Sequence, residues 1–495
     1  MNKWQRVRYQ PCIPFGENGE RVTASKIHRE LSKNAAKEGM VLLKNNQNVL
    51  PLGKGSKVAL FGKGSFDYVK GGGGSGDVTV EYIANLYDGM KALKEQVSIF
   101  EELSDFYRQN VKNQYASGAV PGMTIEPAVP EDLLRKSRAY TDTAVIAICR
   151  FSGEGWDRKS VAGTKNKNLW ENTLAKKSSE IFENGDFYLS HAEADMVNTV
   201  KEHFPRVIVV MNVGGMVDTG WFANDDKIQS VLMAWQGGME GGLAAAELLC
   251  GIGNPSGKLS DTFAKRLEDY PSTYNFHESE AYVDYTEDIY VGYRYFETIP
   301  GAAQKVNYPF GFGLSYATFH WSVVSATERN GVIQVRINVV NTGCKEGKEV
   351  LQIYAGAPQG LLGKPAESLM AFQKTRLLKE GESQLLTLEF SVDAMASYDD
   401  SGKVQKSAYV LEAGDYVFFA GTSVRDVEKI DFVYSVPQNR VVEQLSERIE
   451  PTSLKKRMLA DGSFEQLPLK EANDPDACGL EKMPAEITED CAPAV

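Results

Sequence analysis

The chain has 495 residues, of which 42% are hydrophobic and 24% charged, with a formal net charge of -12. This length exceeds one ordinary hydrophobic core and predicts two or three domains of ordinary globular composition. The negative charge repels polyanions, which argues against a nucleic-acid or anionic-membrane partner and favours a neutral ligand.

Residues 1–29 form an N-terminal extension with Lys3, Arg6 and Arg8 followed by Pro11 and Pro14, and contain no apolar stretch of signal-peptide length. No stretch elsewhere reaches the length of a membrane span. The cysteines (Cys12, Cys149, Cys250, Cys344, Cys478, Cys491) are scattered without a CxxC pair. Cys149 and Cys250 sit in apolar runs and read as buried hydrophobes, which points to a reducing cytoplasm rather than secretion.

Four runs, KVALF (57–61), AVIAIC (144–149), VIVVMN (207–212) and SVLMAW (230–235), are apolar on both faces, as strands of a parallel sheet covered on both sides are. Helical patterns lie between them. One starts at Ser190, with Glu193 completing a capping box, and stops at Pro205; another, GLAAAELLC (242–250), is closed by Gly251. This alternation predicts a doubly wound α/β sandwich domain over residues 30–260.

Glycines follow each strand: Gly62 and Gly64, Gly153 and Gly155, Gly214 and Gly215, Gly237 and Gly238. Their loops are expected to gather at the carboxyl edge of the sheet, where open α/β sheets hold ligands. Glu154, in SGEGWDR (152–158) directly after the second run, is the candidate catalytic carboxyl. Trp156 adds an apolar face, and Asp157 and Arg158 add opposite charges. A loop carboxylate merely paired with Arg158 is the alternative. The run GGGGSG (71–76), with Gly73, Gly74 and Ser75, suits a flexible lid over a ligand better than a phosphate cradle.

Residues 261–319 are an aromatic connector. From 320 to 436 the pattern changes to alternation, in VIQVRINVVN (332–341), EVLQIYAG (349–356), SQLLTLEF (383–390) and DYVFFAG (415–421), which predicts an antiparallel β-sandwich. Residues 437–495 turn polar and acidic and read as a linker or tail.

Several common chemistries are unsupported. No GxxxxGK[ST] occurs, and no GxGxxG opens a helix directly after a strand, so a nucleotide site is not indicated. His28, His191, His203, His277 and His320 are dispersed, with no zinc spacing. The GxSxG elbow of serine hydrolases is absent, because Asp77 stands where the second glycine should be. The reading calls for no metal and no cofactor.

The strings EGMVLLKNNQNVLPL (38–52), GGGGSG, SGEGWDR, WQGGMEGGLAAAELLCGIGNPSGKL (235–259), YTEDIYVGYRYFE (285–297) and YPFGFGLSYATF (308–319) resemble, in this order, the non-barrel half of glycoside hydrolase family 3. The segment from Trp321 to about Val436 is similar to that family's fibronectin type III-like domain. The resemblance implies a retaining β-glucosidase or β-xylosidase that acts on a carbohydrate substrate. The family's sandwich domain supplies the general acid/base, a role that falls on Glu154. A (β/α)8 barrel supplies the aspartate nucleophile and most of the sugar pocket. Nothing in the chain resembles that barrel. The order matches members whose barrel comes last, so the resemblance implies the front half of such an enzyme, which works with a barrel in the same or another chain and does little alone. A non-catalytic carbohydrate-binding or assembly module, using Trp156, Trp235, Tyr285, Tyr290, Tyr293 or Tyr295 against sugar rings, is the alternative function. A dinucleotide-dependent enzyme would rest on fold analogy alone.

Overall fold

The computed structural model describes residues 24–153, 178–276, 282–446 and 454–467. Among them, the first domain is built on a sheet of strands β1 (Val41–Asn45), β2 (Ser56–Phe61), β3 (Val97–Ile99), β4 (Thr143–Cys149), β5 (Arg206–Asn212) and β6 (Ser230–Met233), in the spatial order β1-β6-β5-β4-β2-β3. Strands β2 to β6 pair in parallel, and β1 closes one edge antiparallel to β6. The four apolar runs are thus parallel strands. The sequence reading missed β1 and β3, and it ran β6 two residues too far, because Trp235 turns into the left-handed region at φ 52°.

β4 shows why the runs are apolar throughout. All seven of its residues are buried. Ala144, Ile146 and Ile148 face one core, with Leu103, Leu134 and Val200, while Val145 and Ala147 face the other, with Leu86, Met90 and Leu248. The covering helices are α1 (Lys26–Gly39), α2 (Leu86–Ala92), α3 (Glu101–Ala116), α4 (Glu131–Tyr140), α5 (His191–His203) and α6 (Gly241–Leu249). A helix with an apolar stripe on each face of a parallel sheet leaves no polar side for the strands, so both of their faces must be hydrophobic. α5 starts at the expected cap, with Ser190 accepting from the Glu193 N–H at 3.2 Å and Glu193 reaching back to the Ser190 N–H at 3.0 Å.

The aromatic segment that follows carries a short ladder, β7 (Phe263–Ala264) with β8 (Val306–Tyr308), and helix α7 (Tyr293–Thr298). Its aromatics are mostly packing. Tyr290 and Phe296 are buried, and Tyr293 stacks on Phe310 at 4.5 Å, while Tyr285 is exposed. Tyr290 is therefore committed to the interior, and one face of the half-buried Tyr293 is taken by Phe310.

Beyond it lies an antiparallel sandwich. Strands β9 (Phe319–Arg329), β10 (Val332–Asn341) and β13 (Ser383–Ser391) form one sheet in the order β13-β10-β9. Strands β11 (Val350–Gly356), β12 (Ser368–Lys374), β16 (Gly414–Gly421) and β17 (Val427–Val436) form the facing one, in the order β12-β11-β16-β17. Ile333, Val335, Ile337 and Val339 alternate inward against Leu351, Ile353 and Phe418. A small side sheet joins β14 (Ser397–Asp399), β15 (Ala408–Leu411) and β18 (Arg440–Gln444), and β19 (Lys456–Met458) pairs with β20 (Phe464–Gln466) as a hairpin.

Polar contacts join the two domains. Lys374 Nζ donates to Glu38 Oε2 at 2.9 Å and to Ser256 Oγ at 3.0 Å, Lys348 pairs with the same Glu38, and Lys258 pairs with Glu349 at 2.8 Å. Among the described residues, no helix is long and apolar enough to cross a membrane.

Candidate active site

Because β2, β4, β5 and β6 run parallel, the loops that leave their C-terminal ends share one edge of the sheet. The glycines there allow backbone to approach backbone. Gly62 has φ 90°, and a Cβ on it would stand 2.4 Å from the Ala147 carbonyl oxygen of the neighbouring strand, so no side chain fits. Asn212, at the end of β5, fastens three segments. Its Oδ1 accepts the Val69 N–H at 2.7 Å, and its Nδ2 donates to Val69 O at 2.9 Å and to Trp235 O at 2.7 Å.

The two segments singled out from the sequence meet at this edge. The Gly73 N–H donates to Ser152 O at 3.3 Å, and Gly73 and Gly153 form an isolated parallel bridge. A Cβ on Gly153 would lie 2.1 Å from Gly73 N, and one on Gly72 would lie 3.1 Å from Ser152 O. The glycine run is thus not a free lid along its whole length. Its Gly72–Gly73 half is laid directly on the chain leading to position 154, and Gly74–Gly76 forms a short exposed turn beyond it. Gly74 has φ 67°, a conformation that suits glycine. Ser75 is exposed in that turn. Glu154, Trp156, Asp157 and Arg158 lie outside the described residues, as do Cys12, Cys478 and Cys491.

Beside the C-terminal ends of β2 and β4 lies a buried ionic floor that the sequence reading did not anticipate. Arg150 follows β4 directly and is 2% exposed. Its guanidinium forks onto Glu193, at 2.8 Å to Oε1 and 2.7 Å to Oε2. It also donates to the carbonyls of Cys149 at 2.7 Å, Asp186 at 2.9 Å and Tyr188 at 2.9 Å, and lies over the Phe182 ring at 4.4 Å. Burial alone would push the Glu193 carboxyl up, but Arg150's charge and hydrogen bonds override it and hold the group below the usual carboxylate range. Lys63, equally buried, donates to Gly122 O at 3.2 Å and to Thr124 O. Asp67 accepts from Tyr115 at 2.6 Å, from the Gly122 N–H at 2.7 Å and from Thr124 Oγ1 at 2.6 Å. Lys63 and Asp67 thereby lace segment 119–126 to the edge. The Cys149 thiol, sealed among these charges, is pushed up to about 12 by burial and is inert.

Glu126 completes this floor. Its Oε2 accepts the Lys63 N–H at 2.8 Å, while Oε1 has no hydrogen-bond partner among the described residues. Burial pushes its carboxyl up to about 7, with the Lys63 N–H opposing and the nearby Glu193 charge adding to the rise. A carboxyl raised in the folded state stabilises the fold below its unfolded value, and that contribution is lost as pH rises through 7. Glu126→Gln fixes the neutral form. Its gain in stability over the parent is expected to grow by about 2–3 kcal/mol between pH 5 and pH 8, measured by urea denaturation at both values. A pH-independent difference would show that Glu126 does not titrate in this range.

Among the charged residues of this floor, only Glu193 carried a signal in the sequence, and only as a helix cap. A charged residue immediately after an all-apolar strand is the one cue that could have pointed to Arg150.

Comparison with known proteins gives a consistent picture. Residues 40–316 match the model described as glycosyl hydrolase family 3 C-terminal domain, and residues 349–424 match the fibronectin type III-like domain. Beta-glucosidase A of Butyrivibrio fibrisolvens is 60% identical over 490 residues, covering 96% of this chain and 59% of the relative. A beta-glucosidase of Ruminococcus albus is 36% identical over 459 residues, covering 91% of this chain and 45% of the relative. The solved structure of a beta-glucosidase from Paenibacillus barengoltzii superposes with a TM-score of 0.80 at 38% identity, covering 90% of this chain and 49% of that one. The chain thus spans about half the length of the relatives it matches.

Proposed function

Because the chain belongs to glycosyl hydrolase family 3, we propose that it supplies the acid/base half of a retaining β-glucosidase that removes terminal β-linked sugars. Glu154 first donates its proton to the departing glycosidic oxygen and then, as carboxylate, takes a proton from the water that releases the sugar. The aspartate nucleophile comes from a (β/α)8 barrel in the same or another chain. Gly73, Gly74, Ser75, Trp156, Asp157 and Arg158 border the sugar.

The observation that carries this reading is the backbone contact between Gly73 and Gly153 at the carboxyl edge. It brings the glycine run and the base of the SGEG loop together beside a rigid ionic floor, the kind of pre-organised support that a proton-transfer residue needs. A reducing, cytoplasmic location is proposed as well, because Cys149 and Cys250 are free thiols buried in the interior.

The test is release of p-nitrophenol from p-nitrophenyl β-glucoside. Hydrolysis at the rate of a complete enzyme is expected only when a family 3 barrel is supplied. The isolated chain reaching that rate would overturn the division of labour.

A further inference from the structure

A cavity of about 880 Å3 opens where the aromatic connector, the β-sandwich and the β19–β20 hairpin meet. None of its lining residues belongs to the loops at the carboxyl edge of the parallel sheet. The space is within the range of small-molecule sites and has room for one or two sugar rings.

Its walls are braced from behind. Buried Glu412 accepts the N–H groups of Leu361 at 2.6 Å and Leu362 at 3.3 Å and pairs with Lys364, which fixes the loop around residue 363. Asp399, fully buried, accepts four backbone N–H groups, from Gly402 at 2.7 Å, Lys403 at 3.1 Å, Val404 at 2.7 Å and Gln405 at 2.8 Å. This holds the turn that presents Asp400 and Ser401. Arg457 spans from Asp400 at 2.7 Å to Glu465 at 2.9 Å, and the Met458 N–H ties the hairpin to Thr286 O at 2.8 Å. Walls fixed in this way lose little freedom when a ligand arrives.

The chemistry of the lining selects the ligand. Lys364 and Arg457 already have carboxylate partners. Arg294 forms no side-chain ion pair or hydrogen bond among the described residues, and Asp288 forms no ion pair among them. Burial pushes the Asp288 carboxyl upward, with the Arg457 charge opposing and the Asp400 charge adding to the rise. A cation and a carboxyl without a salt-bridge partner among the described residues, in the same cavity, disfavour either a simple anion or a simple cation. They suit a neutral molecule with both donors and acceptors. Tyr398 and Tyr409 stand opposite each other across β14 and β15, 5.3 Å between ring centroids and 42% and 39% exposed, and give an apolar face beside those polar groups.

We infer that this cavity is a second saccharide site, taking a neutral pyranoside of one or two rings, with Tyr398 and Tyr409 against the ring face and Arg294 and Asp288 on its hydroxyls. It goes beyond the acid/base role and does not depend on Glu154, so the test reads binding rather than hydrolysis. Cellobiose is titrated into the full chain by calorimetry. The parent and Glu154→Gln are expected to bind with equal, millimolar affinity. Arg294→Met and Tyr398→Ala, both at exposed positions, are expected to weaken binding at least about tenfold with unchanged melting temperatures. Any of three results would overturn the inference. These are no binding of cellobiose up to about 50 mM, binding that is lost in Glu154→Gln but kept in Arg294→Met, or Arg294-dependent binding of inorganic phosphate in place of sugar.

Discussion

Glu154→Gln, assayed with the barrel present, is expected to lower kcat on p-nitrophenyl β-glucoside by about 10²–10⁴-fold, the span typical of a positioned general acid/base. Its signature is unequal loss across substrates. Dinitrophenolate leaves without being protonated, so the first step on a dinitrophenyl glucoside should proceed in the variant. The second step, in which water must be deprotonated, should stall. A burst of dinitrophenol, a lowered KM and rescue of turnover by azide, which attacks without surrendering a proton, are the expected results. Equal loss on both substrates, with no burst and no rescue, would remove Glu154 from the proton-transfer role.

The second large effect concerns the ionic floor. Glu193→Ala leaves Arg150 buried and unpaired and is expected to destabilise the α/β domain by about 3–5 kcal/mol. The double variant Arg150→Met with Glu193→Leu removes both charges together and should cost markedly less, because no naked charge is left behind. Hydrogen exchange of the β4 and β5 amides reads this locally, without interference from the sandwich. If the double variant is as unstable as the single one, the carbonyl contacts of Arg150 outweigh its ion pair.

The sequence reveals the parallel sheet because burial on both sides leaves no room for polar residues in strands such as β4. β1 escapes the same logic. Lys44 interrupts its apolar run, yet Lys44 is itself buried, with its ammonium on the carbonyls of Phe222 at 2.9 Å and Asp225 at 2.8 Å. Partners 178 and 181 residues away cannot be inferred from a local pattern. The sandwich strand β10 is legible from strict alternation, whereas β9, half-exposed along its length and ending in Thr327, Glu328 and Arg329, is not. The carboxyl edge of the sheet divides in the same way. Glycine after each strand forecast where the loops gather, and the Ser190–Glu193 cap was plain. That Glu193 also receives Arg150, and that Glu126 holds the Lys63 N–H, depends on chain crossings without a motif.

The Gly73–Gly153 joint is made of main chain only. An ionisable side-chain anchor loosens or tightens as it gains or loses its proton. A joint of peptide groups contains nothing that titrates. Its hydrogen-bonding groups are the same from acid to alkaline conditions, so the attachment of the chain at Gly153 does not depend on pH.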